Sequence, residues 1–189
     1  MKNIAVFASG SGSNAENLIR YFSDNLKLIV TNRPDAYVLE RARRFGLPSY
    51  IVNRDAFYAH PSSFLKILTD YHIDYIVLAG FLWLVPSWLL LEYPGRIVNI
   101  HPALLPAYGG KGMYGMNVHR SVITNGEKES GITIHLVDEQ YDHGSVLFQA
   151  RCRVEIDETP ESLAEKIHAL EQEHFPKVVD DWINGRLPL

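Results

Sequence analysis

Apolar runs of strand length alternate, through the first half of the chain, with segments whose apolar residues return at helical spacing. NIAVFA, about residues 3–8, is a continuous apolar run that ends in SGSGSN, and AENLIRYF follows with apolar residues three and four apart. KLIVTN near 27–32 and SYIV near 49–52 read as further strands, with AYVLERARRFG between them as a helix stopped at Gly46. SSFLKILTDYH near 62–72 predicts a helix, and DYIVLAGF near 74–81 the most apolar strand, expected at the sheet centre. A short helix near 86–92 then leads to RIVNI at 96–100. Strands alternating with helices at this interval predict a mostly parallel sheet covered on both faces.

After Ile100 the texture changes. HPALLPAYGGKGMYGMN carries two prolines and four glycines and reads as a long ordered loop, the kind that usually serves a function. A helix near 116–125 follows, then strands at 131–137 and 145–154, which only DEQYDHG separates, so that pair is expected to be antiparallel. The last helix, about 159–183, opens on Thr159 as N-cap with Pro160 at its first position. Pro176 predicts a kink or break in it. No repeat, low-complexity stretch or linker interrupts residues 1–189, which predict one α/β domain: a Rossmann-like three-layer sandwich, its sheet mostly parallel with an antiparallel C-terminal strand.

Composition removes several function classes. A net charge of -4 offers no footprint for a nucleic-acid backbone. Cys152 is the only cysteine, so no intramolecular disulfide points to an oxidising compartment. No apolar run approaches the ~20 residues that span a bilayer, and the opening residues do not resemble a signal peptide. A cytoplasmic protein, monomer or homodimer, with no membrane or nucleic-acid partner is expected.

Two groups of residues suggest chemistry. Ser9-Gly10-Ser11-Gly12-Ser13-Asn14 lies where the first strand turns into the first helix. Glycines there let the backbone approach an anion, and a helix N-terminus supplies N–H groups and a favourable dipole. A tight turn with Asn14 as helix cap explains the same residues about equally well. The loop also fits the dinucleotide pattern through Gly10, Gly12 and Ala15. The acidic residue that pattern wants after the second strand is replaced by Thr31-Asn32-Arg33, which disfavours NAD. Asn99 and His101, two apart near the carboxyl end of the fifth strand, should face the same way, and Asp142 is a plausible carboxylate partner. An amide donor for a developing oxyanion and an imidazole for proton transfer suit acyl transfer to an amine. A carboxylate beside His101 would raise its pKa. Each residue taken alone is more often structural. No covalent nucleophile stands out, and the eight histidines show no metal-binding spacing, so no metal is expected.

Asn99-Ile100-His101-Pro102-Ala103-Leu104-Leu105-Pro106 closely resembles the N-I-H-P-S-L-L-P signature of the folate-dependent formyltransferases, with Ala103 in place of serine. The opening glycine loop and Val77-Leu78-Ala79-Gly80-Phe81 look like the branch acting on glycinamide ribonucleotide, and Asp142-His143-Gly144 resembles its D-x-G turn. The resemblance implies a fold and an activity: formyl transfer from 10-formyltetrahydrofolate, as co-substrate, to the glycinamide amine in purine synthesis. It implies Asn99, His101 and Asp142 as the catalytic set. It assigns Gly12, Ser13 and Asn14 to the ribonucleotide phosphate, Glu171 near the ribose, and His168 one turn before it. Folate maps to His60, Leu82, Trp83, Leu84, Val85, Asn99, Asp138 and Tyr141. Three departures stand out: Trp83 and His60 replace arginines of many relatives, and the loop from Tyr108 to Asn117 is long and rich in glycine. A formyltetrahydrofolate deformylase without its regulatory domain, or a non-catalytic nucleotide-binding module, are the alternatives.

Overall fold

The structure, a computed structural model, describes residues 2–187. They form two compact units, the first ending at Val98 and the second beginning at Asn99. In the first, β1 (Ile4–Phe7) leads through a glycine loop into α1 (Ser13–Phe22), then β2 (Leu26–Thr31), α2 (Val38–Arg44) and β3 (Ser49–Ile51). Two short helices, α3 (Arg54–Tyr58) and α4 (Ser62–Asp70), precede β4 (Tyr75–Leu78), and α5 (Ser87–Glu92) precedes β5 (Ile97–His101), whose last three residues belong to the second unit. The hydrogen-bonded order is β3-β2-β1-β4-β5. β1 lies parallel to both neighbours, with Val6 opposite Ile29 and Val77.

That placement explains the unbroken apolar run. Ile4, Ala5, Val6 and Phe7 are at most 1% exposed, because helices cover both faces of a parallel strand. Phe7 meets Phe64 and Phe81, and Phe57 joins the same cluster. Burying one such ring is worth about 1.5–3 kcal/mol. β4, flanked by β1 and β5 as its composition suggests, ends at Leu78 rather than at Phe81. Gly80, with φ of 76°, turns the chain out of the sheet there. α3 is absent from the expected elements. It spans barely more than one turn and is fixed by the Asn53 side chain, which accepts the Ala56 N–H, not by any apolar period.

The second unit continues the order as β5-β6-β7, with α6 (Met116–Thr124) before β6 (Glu129–Leu136) and α7 (Pro160–Ile183) after β7 (Val146–Arg153). β6 and β7 are antiparallel, as expected from the short connection, with Ile132 opposite Ala150. α7 packs against α6, β6 and β7. It opens on the Thr159–Ser162 capping box with Pro160 in its first turn. Pro176 does not break it: the helix runs on to Ile183. Phe175, Pro176, Val178, Val179 and Trp182 are buried together, and their packing outweighs the hydrogen bond that proline removes. Among the described residues no helix is long and apolar enough to cross a membrane.

Candidate active site

The alternation of β5 turns Asn99 and His101 to one side, and both meet Asp142. The His101 Nδ1 is 3.5 Å from Asp142 Oδ2, and the Asn99 amide nitrogen donates to Asp142 Oδ1 at 3.4 Å. Asp142 itself sits in the turn between β6 and β7 with φ of 54°, a left-handed conformation that aspartate tolerates better than most residues. A third side chain completes the group. His135, on β6, lies with Nε2 3.0 Å from the Asn99 amide nitrogen and 3.7 Å from Asp142 Oδ1. Both imidazoles are almost fully buried.

Hydrogen-bond roles fix the protons. A carbonyl only accepts, so His135 Nδ1 donates to the Leu136 oxygen at 2.8 Å and its Nε2 accepts from Asn99. By the same logic His101 Nε2 donates to the Tyr108 carbonyl at 2.7 Å, which leaves Nδ1 as the open position on the ring. Tyr108 belongs to the glycine-rich loop, as does Gly110, whose N–H donates to Asp142 Oδ2 at 2.9 Å. The loop therefore contributes two backbone groups to the cluster.

Burial governs His101. It pushes the imidazole below its ordinary value, and the pull of Asp142 and the Tyr108 carbonyl in the other direction does not make up the difference. The expectation of a raised pKa is therefore corrected: Asp142 acts upward, but desolvation of the cation is the larger effect. Burial alone would raise the Asp142 carboxyl. The His135 and His101 rings, which favour the carboxylate when they carry a proton toward it, and the Gly110 N–H together outweigh that and hold it below the usual carboxylate range. Near neutral pH the group thus carries an ionised carboxylate and an uncharged His101. Among the described residues no three His, Cys, Asp or Glu side chains are arranged to hold a metal ion.

The remaining expected residues of this unit lie around that group or on its surface. Glu171, on α7, exerts an upward electrostatic pull on both His101 and His119, and His168 lies 3.3 Å from its carboxylate. Asp138 accepts the Gln140 N–H and contacts His143 at 2.7 Å, and Tyr141 is exposed.

In the first unit, Gly12 rather than Asn14 caps α1. Its φ is 73°, and a Cβ there would lie 2.6 Å from the Val38 side chain. Ser13 and Asn14 form the first turn. Ser9, just before, is buried and ties three strand ends together. Its N–H donates to the Gly80 carbonyl, its hydroxyl donates to Asn32 Oδ1 at 2.6 Å, and the same oxygen accepts the Leu82 N–H at 3.0 Å. Leu82 is exposed and Val85 buried, while the Leu84 carbonyl accepts from the Tyr58 hydroxyl. Trp83 packs against Phe57, Tyr58 and Phe81. His60 is exposed and lies 3.0 Å from Asp55.

The profile of the formyl transferase family matches residues 2–179. The chain belongs to the formyl transferase family. It is 42% identical, over 92% of its length, to the chloroplastic phosphoribosylglycinamide formyltransferase of Arabidopsis thaliana, and spans 62% of that protein. A phosphoribosylglycinamide formyltransferase of Bacillus subtilis is 35% identical, with 95% of this chain and 93% of that protein aligned. The crystal structure of the enzyme of that name from Streptococcus pneumoniae superposes with a TM-score of 0.86 at 36% identity, covering 97% of this chain and 99% of the other. With that match, the mostly parallel sheet and antiparallel C-terminal strands are the formyltransferase fold.

Two buried histidines of this unit stand outside the expected set. His135 carries a signal in the sequence, a polar ring between apolar neighbours on a strand, in Thr133-Ile134-His135-Leu136. His119, buried on α6 with an Nδ1 that meets no partner among the described residues, gave a similar one.

The electrostatics make a signed prediction. Replacing Asp142 by asparagine removes the nearest negative charge from His101, so the imidazolium becomes still less favourable and its pKa falls further. The acidic limb of the kcat–pH profile should move to lower pH. A limb that stays in place, or moves up, would separate Asp142 from His101.

Proposed function

We propose that residues 1–189 act as one formyltransferase catalytic domain, transferring the formyl group of 10-formyltetrahydrofolate to the glycinamide amine of 5'-phosphoribosylglycinamide in de novo purine biosynthesis. The observation that carries the reading is the buried meeting of Asn99, His101 and Asp142, with His101 uncharged and its Nδ1 turned to an ionised carboxylate. The names of the aligned plant and bacterial relatives agree with it.

Each residue then has a task. The substrate amine attacks the formyl carbon, and the carbonyl oxygen takes up negative charge. Asn99 is the donor for that oxygen. One of its amide protons is held only by the long contact to Asp142, and so is the one free to turn toward the developing anion. As the new C–N bond forms, the amine loses a proton to His101. The proton arrives at Nδ1, where the imidazolium faces Asp142. When the bond to the folate N10 breaks, the same proton passes to that nitrogen. Formylated product and tetrahydrofolate leave, with no covalent intermediate on the protein.

Uncharged imidazole is needed to accept the proton, and a nearby carboxylate is needed to tolerate it afterwards. Burial supplies the first condition and Asp142 the second. We assign the ribonucleotide phosphate to Gly12, Ser13 and Asn14, with Glu171 and His168 toward the ribonucleotide. We assign the folate to His60, Leu82, Trp83, Leu84, Val85, Asn99, Asp138 and Tyr141. The protein is read as a cytoplasmic monomer or homodimer.

The test follows folate product by absorbance, with and without phosphoribosylglycinamide. Release that needs the amine supports transfer. Release at the same rate without it would make the protein a deformylase and overturn the reading.

A further inference from the structure

Three consecutive carbonyls in the loop between β1 and α1, those of Gly10, Ser11 and Gly12, are each held by a hydrogen bond. Gly10 O accepts the Val38 N–H at 3.1 Å, Ser11 O accepts Arg41 Nε at 2.7 Å, and Gly12 O accepts the Glu16 N–H at 2.9 Å. In a planar trans peptide the C=O of one residue and the N–H of the next point in opposite directions. Pinning those carbonyls therefore turns the N–H groups of Ser11, Gly12 and Ser13 to the other side. None of the three meets an acceptor among the described residues.

Of the three anchors only Arg41 is a side chain. Val38 acts through its backbone, and the Glu16 bond belongs to α1 itself. Arg41 is fixed from several directions: its guanidinium also pairs with Glu16 in the first turn of α1, and lies 5.1 Å from the centre of the Tyr37 ring. Glu16 is held below the usual carboxylate range by Arg20 and Arg41, so it stays ionised and keeps the Arg41 guanidinium beside α1. An arginine held in this way is suited to support the loop, and is less free to reach out to an anion itself.

We propose that Arg41 is a positioning residue for the anion-binding loop: through the Ser11 carbonyl it aims the Gly12 N–H, without touching the ligand. The inference rests on the proposed phosphate role of Gly12, Ser13 and Asn14. α2 also packs closely on the loop at Val38, which a Cβ at Gly12 would meet.

The experiment compares kcat/KM for phosphoribosylglycinamide and for the same glycinamide riboside lacking the 5'-phosphate, in the native protein, Arg41→Ala and Arg41→Lys. Arg41→Ala should lower the value for the phosphorylated substrate by about tenfold, the scale of one hydrogen bond to a charged group. The loss should appear in KM far more than in kcat, and the phosphate-free substrate and the folate KM should be nearly unaffected. Arg41→Lys keeps a donor and the charge facing Glu16, and should recover part of the loss. It also carries the test if the alanine variant does not fold. Equal losses on both substrates, or no loss on either, would overturn the role of Arg41 while leaving the phosphate loop in place. Equal kcat/KM for the two substrates in the native protein would instead remove the phosphate reading, and the inference with it.

Discussion

His101→Ala is expected to lower kcat by about 10²–10⁴-fold, the range that one positioned general acid–base contributes. Among the described residues the ring makes one hydrogen bond, to the Tyr108 carbonyl, so its loss should leave the fold standing. Three consequences distinguish a proton carrier from a packing residue. The loss should fall on kcat, with both KM values changed much less. The acidic limb of the pH profile should disappear, since the group that titrates is gone. Added imidazole should recover some activity if it can enter the space. A folded alanine variant, checked by circular dichroism and melting, that keeps kcat within about tenfold of the native protein would remove His101 from the mechanism.

Asn99→Ala should cost about 10²–10³-fold in kcat, the usual effect of removing one donor to an oxyanion. Here the side chain has two duties, because the same amide nitrogen donates to His135 and reaches toward Asp142. Truncation leaves the buried His135 Nε2 without its donor, at a cost of about 1–3 kcal/mol in stability. A drop in melting temperature should therefore accompany the loss of rate. If Asn99 and His101 act on the same transition state, the double variant should lose much less than the product of the single losses. Multiplicative losses would mean that the two residues work in separate steps, and near-native kcat in Asn99→Ala would end its proposed role.

The sequence was most legible where one property decides the structure. β1, β2 and β4 are buried on both faces, so their apolar runs mark them plainly, and α7 announces its start through Thr159 and Pro160. Boundaries set by a backbone turn were less visible: the sequence reads as a strand continuing to Phe81, whereas β4 ends at Leu78, just before the left-handed Gly80. Pro176 misleads because the local rule about proline ignores how much apolar surface the surrounding turns bury. The meeting of Asn99 and His101 with Asp142 follows from strand alternation plus a turn of fixed length. His135 needed one further step, the placing of β6 beside β5. The direction of the His101 shift was beyond reach, because a charge partner can be named from sequence whereas the extent of burial cannot.

The Tyr108 carbonyl carries a consequence for genetics. The group that settles which His101 nitrogen bears the proton is a main-chain oxygen, and the phenol of the same residue is bound elsewhere, to Glu127 and Asn125. Side-chain replacement at position 108 removes the phenol and spares the oxygen. A scan of single substitutions would score the position by its outer contacts alone, and would report tolerance at a residue that touches the His101 imidazole. What selection holds there is a direction of the chain, φ of 57°, rather than an identity. The position is free to drift among residues that accept that angle, while the proton it governs stays where it is.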